Sequence, residues 1–190
     1  MFLLLIKQEN KMNIQPNLIR YWSLFMSSFL VLTTVSCSKN YANHSEEWKQ
    51  EKIETLYTKY ARKFPEVKDI SAEELQQLQE QEKVVLVDVR TPQEMKVSLI
   101  MGAISQAEFE RNRKKYHNNT VVTYCTIGSR SGIYAEKLQE EGFRVFNFKG
   151  SILSWSHAGG KLVNDRGITN RIHIYGKKWE LAAENYQAVW

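Results

Sequence analysis

The feature that most constrains the fold of this 190-residue chain is an alternation. Short β-branched and apolar runs, VVLVDVR at 84–90, TVVTYC at 120–125 and FRVFNF at 143–148, are separated by segments with helical spacing. Val84 to Val87 is unbroken, the pattern of a strand covered on both faces. TPQEMKV then sets Pro92 in the first turn of a short helix. SGIYAEKLQEEG reads as a helix with Ile133, Tyr134 and Leu138 inward and Gly142 just past its end. Gly150 to His157 is expected to form one more short helix. Upstream, Ser71 and Glu74 have the spacing of a capping box, ahead of a helix whose inner face carries Leu75 and Leu78. Gly102-Ala103 begins a turn and a short extended piece, and a charged helix runs from about Ala107 to Tyr116 until His117-Asn118-Asn119 breaks it. Strands alternating with helices across residues 70–160 imply βαβ units. The expected class is α/β, a parallel sheet with helices on both faces.

Apolar residues make up 43% and charged residues 25%, so a buried core is expected and global disorder is excluded. The net charge of +5 is spread out. Arg111, Arg113, Lys114 and Lys115 read as a solvated helix face, and no nucleic-acid partner is expected. His44, His117, His157 and His173 lack ligand spacing, so no metal is expected.

The ends differ from the middle. Residues 1–37 read as a signal segment: Lys7, Lys11 and Arg20 precede the diluted apolar stretch LFMSSFLVLTTV, with Met1 and Met12 both candidate starts. The stretch is short and polar for a membrane span. Thr34-Val35-Ser36-Cys37 resembles the lipobox of bacterial lipoproteins, with Thr34 where leucine is usual. The expectation is lipidation at Cys37, a membrane anchor and an extracytoplasmic location. A signal without lipid and a buried core helix are the alternatives. Residues 38–68 form a tether and an amphipathic helix, capped by Ser45, with Ile53, Leu56, Tyr57 and Tyr60 as its packing face and Pro65 as its stop. The domain spans 69–160, and residues 161–190 are an extension. There, Ile168, Asn170, Ile172 and Ile174 alternate as in a strand, and KKWELAAENYQAVW places Trp179, Ala182, Tyr186 and Val189 on one helical face.

Cys125 closes a strand and opens the loop Cys125-Thr126-Ile127-Gly128-Ser129-Arg130, which leads into a helix. Ligand sites in open parallel sheets lie outside the carboxyl ends of strands. The free N–H groups of a helix start attract negative charge, and a turn containing Gly128 can converge several of them. A sulfur held there next to Arg130 is expected to have a lowered pKa and raised reactivity. A buried structural cysteine with an unrelated arginine is the plain alternative.

VVLVDVRTPQE, Gly102-Ala103, VVTYCTIGSRS and GSILSW, in this order and spacing, resemble a single rhodanese (sulfurtransferase) domain over about residues 70–160. The resemblance implies a five-stranded parallel sheet and a cysteine carrying sulfane sulfur as a persulfide. Cys125 matches the catalytic cysteine, Thr126, Ile127, Gly128, Ser129 and Arg130 the substrate-binding loop, and Asp88 and Arg90 the Asp-x-Arg pair, read as structural support. Trp155 matches an aromatic residue near the domain's end. Two departures stand out: Ser98-Leu99-Ile100-Met101 replaces Gly-His-Ile-Pro, and Gly150-Ser151 replaces Gly-Gly.

The implied activity is transfer of sulfur from a small donor such as thiosulfate to cyanide or a thiol, by double displacement through Cys125 and without a cofactor. A thiol phosphatase would carry one more residue between its cysteine and arginine, and a thioredoxin-like enzyme would need Cys-x-x-Cys. The rival of a different class is a membrane-tethered binding module that docks a protein partner without turnover.

Overall fold

A computed structural model describes residues 44–80 and 84–190. Residues 1–43, on which the expected signal segment, the Cys37 lipidation site and the start of the expected tether fall, lie outside the described residues. Among the described residues, no helix is long and apolar enough to cross a membrane.

Helix α1 (Glu46–Ala61) starts where Ser45 accepts the Trp48 N–H at 3.3 Å, with Glu46 and Glu47 at its positive end. Strand β1 (Asp69–Ile70) precedes α2 (Ala72–Glu80), which opens on the Ser71/Glu74 capping box. Then follow β2 (Val84–Asp88), α3 (Pro92–Val97), β3 (Leu99–Ile100), β4 (Ile104–Ser105), and the short helices α4 (Gln106–Arg111) and α5 (Arg113–Tyr116). Strand β5 (Thr120–Tyr124) leads to α6 (Ser129–Glu140), β6 (Val145–Phe148) and α7 (Ser151–His157). The last part holds β7 (Leu162–Asn164), β8 (Gly167–Thr169), β9 (Arg171–His173), a 3-10 turn at Lys177–Trp179 and β10 (Gln187–Val189).

The central sheet has five parallel strands in the order β1-β6-β5-β2-β4. Because side chains alternate along a strand, each central strand feeds two cores. Leu86, Val122, Tyr124 and Phe148 pack with Leu75 of α2 and Ile152 and Leu153 of α7. Val85, Val87, Val121 and Val145 pack on the other side with Phe109, Tyr134, Ala135 and Leu138. Helix α1 serves both cores, through Ile53 in the first and Tyr57 in the second. This is an α/β fold, a five-stranded parallel sheet with helices on both of its faces.

Three expectations are corrected. Ile133 is not an inner residue of α6: it is 52% exposed, and Ala135 fills the inward position beside Tyr134 and Leu138. The alternation from Ile168 to Ile174 is not one strand. The chain breaks at Asn170, leaving β8 antiparallel to β7 with Ile168 exposed, while Ile172 and Ile174 are buried in the core. The C-terminal segment is not a helix. Leu181, Ala182 and Ala183 are buried consecutively, a pattern no single helical face produces, and β10 pairs in parallel with β9.

Candidate active site

The site is built where β5 ends. Gly128 has φ of +104°, a conformation open to glycine, and this turns the loop directly into α6. A Cβ there would sit 2.5 Å from the Tyr57 ring, so the position also excludes larger residues on packing grounds. Helix α6 has no side-chain cap. Its start instead surrounds sulfur: Gly128 donates its N–H to Cys125 Sγ at 3.2 Å, and the Ser131 hydroxyl lies 3.6 Å from the same atom.

Cys125 is free, and only 1% of the residue is exposed. Burial raises its pKa, but the Ser131 amide and hydroxyl, the Arg130 charge and the Gly128 amide together outweigh burial and lower it. The loop's own polar groups are held from behind. Cys125 donates its N–H to Ser151 Oγ at 3.1 Å, and the carbonyls of Cys125 and Thr126 accept the first amides of α7, from Ile152 and Leu153. Thus two helix starts, α6 and α7, fix one loop.

Ser151 is the one non-glycine residue among those described with a left-handed backbone, at φ +51°. Its hydroxyl also donates to the Phe148 carbonyl at 3.0 Å. The departure from Gly-Gly therefore places a strained residue where its side chain satisfies the cysteine's buried amide.

Arg130 meets Glu94 through both terminal nitrogens, at 2.8 and 2.7 Å, and reaches Thr126 Oγ1 at 3.1 Å. Glu94 also closes the capping box of α3 with Thr91, accepting the Thr91 N–H at 2.9 Å. Burial pushes the Glu94 carboxyl up, and its bonds to Arg130 and Thr91 pull it down further, to about 2. Glu94 is thus ionised at ordinary pH. A buried carboxylate fixes the arginine that faces the sulfur.

Asp88 and Arg90 form a buried bidentate pair at the end of β2, with Arg90 Nη2 2.7 Å from Asp88 Oδ2 and 2.6 Å from the Ser98 carbonyl, and the guanidinium over the Tyr124 ring. They do not line the opening at Cys125. That opening is a cavity of about 210 Å³ whose walls include Ile127, Ser129 and Arg130. Trp155 is buried in the core, edge-on to Phe148. Among the described residues, no cluster of His, Cys, Asp or Glu is placed to hold a metal ion.

Sequence reasoning missed Glu94 and Ser131 as site residues, Ser151 as the partner of the Cys125 amide, and Tyr60, Tyr175 and Trp179 as cavity walls. Thr91-x-x-Glu94 has the capping-box spacing and was the available signal for Glu94. Ser151 stands out only as a departure from Gly-Gly, and nothing in the order of residues marks the rest.

The rhodanese-like domain family matches residues 71–158. A protein named sulfurtransferase from Allochromatium vinosum is 34% identical over 112 residues, covering 53% of this chain and 99% of that protein. An uncharacterized protein of Synechocystis is 34% identical over 94 residues, covering 47% of this chain and 52% of its own length. The thiosulfate sulfurtransferase of Pseudomonas aeruginosa shares the fold at 22% identity, with a TM-score of 0.50 over 70% of this chain and 26% of that one.

Proposed function

Because the chain belongs to the family of rhodanese-like domains, we propose that it is a sulfurtransferase carrying sulfane sulfur on Cys125 as a persulfide. The observation that carries this reading is the Gly128 N–H directed at Cys125 Sγ, at a helix start beside Arg130. Amides, a hydroxyl and a guanidinium there favour negative charge on sulfur. They would serve a thiolate and, after loading, a persulfide anion.

With thiosulfate as donor, the Cys125 thiolate attacks the outer sulfur. The bond between the two donor sulfurs breaks, and its electron pair leaves with sulfite. Cysteine then holds one extra sulfur and one negative charge. In the second step cyanide or a thiolate attacks that outer sulfur and departs as thiocyanate or a persulfide, returning the thiolate. No net oxidant is required, and the two half-reactions give ping-pong kinetics. Thr126, Ile127 and Ser129 shape the entry, while Arg130 orients the anionic donor. Asp88 and Arg90, paired with each other and packed on Tyr124, act as structural support at the strand end that precedes the loop.

The test offers thiosulfate to the purified full chain and measures the protein mass, then adds cyanide and follows thiocyanate. A gain of one sulfur, discharged by cyanide and absent in Cys125→Ser, is the expected result. A folded protein that takes up no sulfur from any donor would replace this reading with that of a docking module.

A further inference from the structure

The cavity at Cys125 has walls that the rhodanese-like domain does not supply. Tyr60 comes from α1, and Tyr175 and Trp179 come from the segment after β9; all three lie outside residues 71–158 and all three line the cavity. The Tyr60 and Trp179 rings stack with centroids 6.4 Å apart and 23° between their planes. The Tyr175 ring lies 5.5 Å from the Arg130 guanidinium carbon. Ile127 adds an aliphatic wall. An apolar cavity of about 150 Å³ holds a benzene ring, and this one measures about 210 Å³.

Charge leads to the same conclusion. Among the described residues lining the cavity, Arg130 is the one cation, and the Glu94 carboxylate already cancels its charge through two hydrogen bonds. A dianion approaching the Cys125 thiolate has the amides at the start of α6 and a guanidinium already shared with Glu94 to offset its two charges. A monoanion with an apolar group loses less on entry and gains contact with the rings.

Resting on the sulfurtransferase reading above, we propose that Tyr60, Tyr175 and Trp179 form a specificity wall that selects a sulfur donor bearing an apolar, preferably aromatic, organic group. The donor class is an organic thiosulfonate, R–SO2–S⁻, in preference to inorganic thiosulfate. The thiolate of Cys125 attacks the terminal sulfur. The bond from that sulfur to the sulfonyl sulfur breaks, and the electron pair leaves with the sulfinate R–SO2⁻. Two negative charges enter the step, and two leave it, one on the persulfide and one on the sulfinate.

The experiment compares benzenethiosulfonate with methanethiosulfonate on the full chain, with thiosulfate as reference. The two thiosulfonates share charge and sulfinate leaving-group type and differ chiefly by the ring. We expect kcat/KM to favour the aromatic donor by about tenfold or more, the scale at which extra buried apolar groups discriminate in a pocket. That ratio should fall toward one in Trp179→Ala and in Tyr175→Ala; Tyr175 is 66% exposed, so its replacement does not open the core. Equal use of both donors by the wild type, or a ratio unchanged in both variants, would overturn the wall while leaving sulfur transfer standing. Failure of every donor to load Cys125 would overturn both.

Discussion

Each polar group around Cys125 has a traceable reason to be there. The buried thiol sits against two amides, a hydroxyl and an arginine, so the stabilised form is the thiolate. A lowered pKa means that the reactive form dominates from a lower pH upward. The rate of Cys125 alkylation by iodoacetamide is therefore expected to rise with a midpoint below the ordinary thiol value of about 8.5. In Arg130→Gln the cation is lost while Glu94 stays charged, and the midpoint should move up. A wild-type midpoint at or above the ordinary value would show that burial wins over the loop. At this scale the sequence was partly legible. The order Cys125 to Arg130 was readable, because a loop of six adjacent residues is local. Glu94 and Ser151 were not, because their partners lie 36 and 26 residues away along the chain.

The elements follow their local signals where those signals are complete. Ser45, Ser71 and Thr91 start helices because each offers an oxygen to a free amide. The C-terminal segment shows the opposite case. KKWELAAENYQAVW has helical spacing, but Lys177 and Lys178 stand at what would be its positive end. Burial of Leu181 through Ala183 and pairing of β10 with β9 override the weak propensity. The turn from β5 into α6 is the element most sensitive to one atom. Gly128→Ala is expected to destabilise the protein by about 2–4 kcal/mol, from the positive φ and the overlap with Tyr57. Denaturant unfolding measures this. A loss under about 0.5 kcal/mol, the range of an ordinary surface substitution, would mean the loop relaxes freely.

Across residues 44–190, the segments flanking the matched domain are packed into it rather than appended. Lys49 Nζ donates to the Ala182 carbonyl at 3.2 Å, His157 Nε2 lies 2.8 Å from the Leu181 carbonyl, and Ala183 donates its N–H to Ser156 at 3.1 Å. Tyr186 donates to the Gly160 carbonyl at 2.6 Å. Leu181, Ile172 and Ile174 share a core with the central sheet. Leu181→Ala should therefore cost about 2–4 kcal/mol, seen as a fall in Tm of about 5–10 °C in one cooperative transition. Loss of order at the C-terminus with no change in Tm would show instead that the segment melts on its own.

The strand runs, the helix caps and the reactive loop were written in the chain itself. Each depends on neighbours within a few residues, where backbone sterics and single hydrogen bonds decide. The carboxylate behind Arg130, the hydroxyl behind Cys125 and the aromatic rings around the cavity were decided by packing alone. They join segments distant along the chain, and only burial of a shared core sets which distant side chains meet.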